Sequence, residues 1–542
     1  MRRTSLAALL VASLLTPAAA QAASPQAATI GVGVVGRPGS LNPMTYTSQA
    51  AADILSATSD GLLRFVPTSW PRNNQRYAWR PDLLAAMPIL RVTGTPGPTA
   101  TVTITYRLRR GLRWSDGQPL TSRDIRFTWH AVMQPQSGAY QGGYDQITSV
   151  ETPSPLTAVV QLQGTYAAWQ TLFSFLLPYH ALHGRIAAIA TDRSYNRMPL
   201  STGPYAVVYD QRGRVVLRAN PYYAGQDGPA PRIERIVVRY YPSESLLRRA
   251  LERHEIAVAD NLQLSEPGVA ALRKAGITVQ SVPGPAFEQF TFNLFRPTSG
   301  SLSVRRAFYL ALDRQGMSRR LSGGRFRVAS SDQAVYSWAL DAKLPPVRQN
   351  IALARRILQQ DGWVMGPHGY FMKGGRVLSL NVSLTATPLH KAIMAAVIRQ
   401  EARAGIRVRA QYRPVAALFG PSGMLARGNY QAALFSFVDG ADPNDASLFN
   451  SQTGSRYAYG VDFSGYNSAA VDAWTADALA RMSMGARARD YHRVQSALYR
   501  DLPMVPLFFL PVETAYNAKA VSGITVDDFG GSLWSASRWH LR

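Results

Sequence analysis

Tyr106-Arg-Leu-Arg-Arg-Gly-Leu-Arg-Trp-Ser-Asp-Gly-Gln-Pro-Leu-Thr-Ser-Arg-Asp-Ile-Arg-Phe127 is the stretch from which the fold can be read. The residues leading into it, Thr101-Val-Thr-Ile-Thr-Tyr-Arg-Leu108, alternate apolar and polar at period two, as a half-buried strand does. Ser115-Asp116-Gly117 then turns the chain, because Asp can bond its own downstream backbone and Gly accepts positive φ. Thr121 followed three residues later by Asp124 is a capping-box start, so a helix is expected through Met133.

The alternation continues outward from this point. Residues 29–35 read as an opening strand, broken by Arg37-Pro38-Gly39 and the turn Leu41-Asn42-Pro43. Residues 50–63 read as helix, and strand patterns recur at 158–162, 205–209, 215–218 and 233–240. Helical periodicity marks 246–251, 304–312, 351–360, 392–404 and 486–502. Strands and helices in this order favour α/β lobes over a sandwich or a bundle. No low-complexity linker separates them, so the lobes are expected to be joined by chain crossings.

Composition narrows the function. The chain has 542 residues, a formal net charge of +25 and no Cys, which excludes disulfide scaffolds, zinc ribbons and thiol nucleophiles. Of its 58 basic residues only Lys274, Lys343, Lys373, Lys391 and Lys519 are Lys, and the Arg residues spread along the whole chain. That pattern lacks a polybasic tail, and no nucleic-acid partner is expected. Arg2-Arg3, the apolar run 6–15 and Ala20-Gln21-Ala22 form a secretory leader, cut after Ala22, which predicts a periplasmic protein. Cleavage leaves +23, and so positive a chain is expected to be attracted to an anionic membrane surface.

Five blocks in register resemble the extracellular solute-binding proteins of the dipeptide/oligopeptide/nickel class, family 5, which serve ABC importers. They are 106–127, Thr202-Gly-Pro-Tyr205 with Leu217-Arg-Ala-Asn-Pro-Tyr-Tyr223, Phe292-Asn293 with 304–313, 352–358 with Asp361-Gly-Trp363, and 501–507. The resemblance implies an α/β, two-lobed periplasmic-binding-protein fold of type II, the large peptide-binding class, with an extra subdomain in the first lobe. The expected division is 1–22 leader, 23–60 first lobe, 61–199 inserted subdomain, 200–285 first lobe again, 286–504 second lobe and 505–542 a return to the first. It further implies a monomer that captures a short peptide by closing a cleft and delivers it to a cognate ABC permease. Nickel chelates, opines, haem or oligosaccharides fit the same scaffold, as does a periplasmic chaperone or sensor role.

In peptide-binding relatives a carboxylate matching Asp439 pairs with the ligand's α-amino group. Here it follows Ala433-Leu-Phe-Ser-Phe-Val438, with Ser436 where relatives often carry Trp. Physical chemistry agrees, since a buried ammonium needs both a counter-charge and hydrogen bonds. Phe435, Ser436 and Phe437 are candidates beside Asp439, as are Asn42, Tyr46, Asn293, Thr385 and Thr387 at strand or turn ends. Arg305 and Arg306 read as a surface pair on an apolar helix. No G-x-S-x-G, H-E-x-x-H or phosphate-binding loop motif occurs, and the eight His are scattered. No catalytic residue, metal ligand or cofactor is expected, and the chain reads as a receptor rather than an enzyme.

Overall fold

The computed structural model describes residues 28–67, 77–211, 213–225, 230–420, 422–451, 462–527, 529 and 531–542. The leader and its cleavage point after Ala22 lie outside the described residues. Two long strands, Thr278–Phe292 and Met504–Tyr516, organise the rest; they have 15 and 13 residues against a usual length of about 5–6. At about 3.3 Å per residue the longer one spans roughly 50 Å. They pair antiparallel from Thr278 opposite Tyr516 to Thr291 opposite Met504, and the register breaks between Pro283 and Phe287.

That break has a local cause. Pro283 and Pro285 offer no N–H to the ladder, and Pro511 faces Pro283 across it. Gly284 between them lies so close to the partner strand that a Cβ would come within 2.3 Å of the Leu510 carbonyl oxygen. A break of this kind bends the strand locally.

Among the described residues eleven strands form one sheet around this pair. On one side lie Ala432–Val438, Ser379–Leu384 and Arg407–Tyr412; on the other lie Val258–Leu262, Thr29–Val35, Arg235–Tyr241, Arg214–Ala219 and Tyr205–Gln211. The short strand Arg327–Val328 adds to Met504–Tyr516. A separate four-stranded sheet is built from Ile89–Thr93, Thr101–Arg107, Thr157–Gln163 and Ile147–Ser154.

Each body buries its own apolar face. Ile30, Val32, Val34, Ile54, Tyr205, Leu217, Val238 and Trp539 pack in one core. Phe290, Phe292, Val304, Phe308, Leu380, Val382, Ile393 and Leu434 pack in another, with Phe308 edge-on to Phe290 at 5.0 Å and to Phe292 at 5.5 Å. Truncating such a ring typically costs about 3–5 kcal/mol through the cavity it leaves. Leu62, Ile104, Tyr106, Trp114, Ile125, Val160 and Phe173 form the core of the four-stranded sheet.

The capped helix runs Ser122–Val132: Asp124 accepts from the Thr121 backbone N–H at 2.7 Å, and Thr121 accepts from Arg123 at 3.3 Å. The helix expected over 50–63 is shorter, Gln49–Thr58, because the Ser59 backbone is extended and Leu63–Pro67 forms a hairpin strand with Tyr77–Pro81. Arg305 is a correction too. It is 5% exposed, and it donates to the backbone carbonyls of Ser299, Gly300 and Asp501 rather than to a surface carboxylate. No described helix is long and apolar enough to cross a membrane.

Candidate ligand-binding cleft

A cavity of about 910 Å3 opens beside the crossing strands, at the upper end of the usual range for small-ligand sites. One wall comes from the hairpin residues Leu63, Arg64, Phe65, Val66 and Trp79 and from Tyr140, Tyr144 and Tyr166. The facing wall is the run from Phe437 to Asp445, with Gln333, Ser447 and Leu448. Asp527, Phe529 and Trp534, from the C-terminal part of the chain, complete it.

Asp439 follows directly on the strand Ala432–Val438. Its backbone N–H donates to Pro285 O at 3.0 Å, which ties it to the bend in the crossing strand. Its Oδ2 accepts from the Ala334 backbone N–H at 3.1 Å. Behind it, Gln333 Nε2 donates to Asp332 Oδ2 at 2.9 Å and to Asp445 Oδ1 at 2.7 Å. Asp332 and Asp445 are buried, whereas Asp439 keeps part of its surface on the cavity. Burial, with the charge of Asp332 added, pushes Asp439 well above the usual carboxylate range. Burial and Asp332 do the same to Asp445, and burial raises Asp332. Among the described residues no Lys, Arg or His forms an ion pair with any of the three.

Asp442, three residues on, is handled differently. Arg487 grips it with two hydrogen bonds, Nη1 to Oδ2 at 3.0 Å and Nη2 to Oδ1. The Arg487 guanidinium also lies over the Trp338 ring at 4.8 Å, and its Nε donates to Ala478 O at 2.8 Å. Burial opposes its positive charge, but the bonds to Asp442 outweigh this and hold its pKa above the usual value. On the hairpin wall Arg64 reaches Asp82 Oδ2 at 3.0 Å and also bonds Asp60. Burial and Asp82 push Asp60 up to about 7 against the pull of Arg64.

Aromatic rings and one hydrogen bond connect the two walls. Phe65 stacks on Tyr77 at 5.0 Å, Tyr77 meets Tyr336 at 5.5 Å, and Phe529 sits edge-on to Phe65 at 5.8 Å and to Tyr336 at 5.7 Å. Asn444 Nδ2 donates to Tyr140 Oη at 3.3 Å.

Of the residues expected in the site, Asp439, Phe437 and Tyr46 line the cavity. The other six do not line it. Asn42 is fully buried and its amide donates to Ile189 O and Asn196 Oδ1. Asn293 spends its amide on the carbonyls of Gly428 and Tyr430. Phe435 turns into a small core with Leu425 and Tyr430. Ser436 lies on the opposite face of its strand and donates to Glu288. Thr385 bonds His390, and Thr387 caps the helix Pro388–Ala404. These side chains satisfy the local backbone or core, the commonest use of polar residues at strand and helix ends. The reading missed Gln333, Asp332, Asp445 and the rings Phe65, Trp79, Tyr140, Tyr166, Phe529 and Trp534.

A cavity of this volume, lined by a polar cluster and by aromatic rings, has the make-up of a small-ligand site. The chain belongs to the bacterial extracellular solute-binding proteins, family 5, whose sequence profile (the middle region) matches residues 100–459. A Brucella ovis protein named as an ABC transporter peptide-binding protein is 27% identical over 320 residues, 57% of this chain and 56% of its own length. The chain thus spans little more than half of that relative. The structure of NikZ from Campylobacter jejuni, in complex with Ni(L-His), superposes with a TM-score of 0.80 at 20% identity, over 95% of this chain and 99% of that one. The oligopeptide-binding protein AppA from Bacillus subtilis, in complex with a nonapeptide, gives 0.76 at 20% identity, over 96% and 100%. The mixed α/β fold of periplasmic binding proteins is therefore shared over nearly the whole chain.

Proposed function

We propose that this protein is the periplasmic capture component of an ABC importer and that its ligand is a short peptide held by its N-terminal ammonium on Asp439. One observation carries the reading: Asp439 faces the cavity, is raised by burial and by Asp332, and has no cationic partner among the described residues. A ligand ammonium there would make a charge-assisted hydrogen bond to the carboxylate. Phe437 and Tyr46 flank the bound chain. The division into lobes at the bend of the crossing strands supplies the hinge, and the Asn444–Tyr140 hydrogen bond holds the two walls together when they are closed. Handing the ligand to a membrane permease completes the role, with no covalent chemistry asked of any residue.

Ligand-induced stabilisation tests this, because binding the folded state alone raises stability by RT ln(1 + [L]/Kd). Tri- and tetrapeptides with free N-termini should raise Tm in the wild type and not in Asp439→Asn. A shift by Ni(L-His) without one by any peptide would replace the peptide reading with a chelate one.

A further inference from the structure

Residues 205–241 do not line the cavity. They build the three outermost strands at one end of the eleven-stranded sheet, Arg235–Tyr241, Arg214–Ala219 and Tyr205–Gln211. One face of these strands is core, where Tyr205, Leu217, Ile236 and Val238 are buried with Ile30 and Val32. Alternation sends the residues between them to the other face, which is open. Arg214, Arg218, Arg235 and Arg239 are exposed there, with Val216 and Val237 half-buried between them. At a bulge in the edge strand Val208 is 40% exposed.

The register sets like charges against each other. Arg235 stands directly opposite Arg218, Val237 opposite Val216 and Arg239 opposite Arg214 in an antiparallel ladder. Side chains so opposed have Cβ atoms about 4.5–5.5 Å apart, and like charges there weaken the sheet. The two arginine pairs lie four residues apart along the strand, roughly 13 Å. Among the described residues no ion pair engages Arg218 or Arg235. Arg239 donates to the Glu255 backbone carbonyl at 3.2 Å, and the Glu255 carboxylate is paired with Arg253 at 3.8 Å. Residues 205–241 carry six Arg against Asp210, Asp227 and Glu234, so the stretch is net positive. The helix Glu244–Glu252 covers the next strand, Thr29–Val35, so closely that a Cβ on Gly33 would lie 2.2 Å from Leu247 Cδ1. Gly33 is in register with Arg239, and beyond that point the arginines stand open.

We propose that this open sheet face is where the protein rests on an anionic lipid bilayer. An opposed arginine pair that weakens the free sheet becomes favourable once phosphate lies against it, because each guanidinium presents a planar fork that matches phosphate bidentately. A bilayer surface is extended and repeats that group, as this face is extended and repeats its arginines about two valines. Each basic residue near such a surface adds attraction, which fades within a Debye length of about 10 Å at 0.1 M salt. The attraction therefore belongs to this face rather than to the net charge of the whole chain. Because the face lies apart from the cavity, a protein held by it keeps its cleft free, and the proposal is independent of what the cleft binds.

Co-sedimentation of the purified protein with vesicles tests this, using phosphatidylcholine alone and phosphatidylcholine mixed with phosphatidylglycerol, each at low and high salt. The protein should bind the mixed vesicles only, and salt should release it. The double variant Arg218→Gln/Arg235→Gln should bind them about tenfold or more weakly, with Tm equal to or above that of the wild type because the opposed pair is gone. Arg409→Gln/Arg413→Gln removes the same charge from exposed positions at the other end of the sheet and should change binding little. Equal losses in the two double variants overturn the assignment to this face. Absence of binding to the mixed vesicles, equal binding to the neutral ones, or capture by heparin without capture by vesicles overturns the lipid surface as partner. A lowered Tm in Arg218→Gln/Arg235→Gln overturns the reading of the opposed pair as one kept for a partner.

Discussion

On the hairpin wall of the cleft, Asp60 and Asp82 close on Arg64 from two sides, whereas on the facing wall Asp332 and Asp445 share Gln333, Asp439 takes the Ala334 N–H, and none of the three has an ion pair among the described residues. Within that second wall the contrast repeats over three residues, because Asp442 has Arg487 and Asp439 has only a backbone N–H. Carboxylates with a guanidinium hold the walls in shape. Burial holds those without one toward the protonated form, and under the proposed reading an incoming cation would favour their ionised form. The comparison teaches that acidic residues in one cavity divide into scaffold and receptor by their partners, not by their position in sequence.

The largest expected effect breaks a scaffold pair. Arg487→Met leaves Asp442 buried with no counter-charge and should lower stability by about 3–5 kcal/mol, read by urea denaturation. If the variant unfolds at the wild-type midpoint, the pair is not structural. Next, Asp439→Asn should weaken a free-amino peptide by about 2–4 kcal/mol while leaving Tm of the ligand-free protein unchanged or higher. An equal loss of stability would move Asp439 into the scaffold class.

The dependence on pH separates the two classes further. Burial raises the pKa values of Asp439 and Asp445, so the folded protein holds protons there that the unfolded chain has lost. Stability of the ligand-free protein should therefore fall as pH rises above the ordinary carboxylate value near 3.9. A bound ammonium favours the ionised carboxylates, so affinity should rise over the same range, by at most about tenfold per pH unit for each proton released. The rise should stop as the peptide's own amine deprotonates near about pH 8. Titration in buffers of different ionisation enthalpy counts the protons, and zero release would contradict the account. The smallest effect concerns closure. Tyr140→Phe removes one hydrogen bond between the walls, worth about 0.5–1 kcal/mol, and should raise Kd only severalfold.

The fold was legible where the signal is local. Thr121 and Asp124 announce their helix because a capping box is closed by side chains three residues apart. The strand Thr101–Arg107 shows its buried face by alternation alone. The cleft was legible only at Asp439, Phe437 and Tyr46, since its remaining members come from stretches that meet in three dimensions alone. Gln333 and Phe529 carry no pattern that distinguishes them from loop residues. Asp445 could have been noticed, because Asp439, Asp442 and Asp445 recur at intervals of three along a single stretch. Asn42, Asn293 and Thr387 looked available because sequence does not show which polar side chains are already spent on their own backbone.

The central claim, recognition of a ligand ammonium by Asp439, is tested most directly by one calorimetric comparison. Ala-Ala-Ala amide and its N-acetyl derivative differ only in that ammonium. The account predicts that acetylation weakens binding by about a hundredfold or more in the wild type, and has little effect in Asp439→Asn. Equal affinity of the two peptides for the wild-type protein would contradict it.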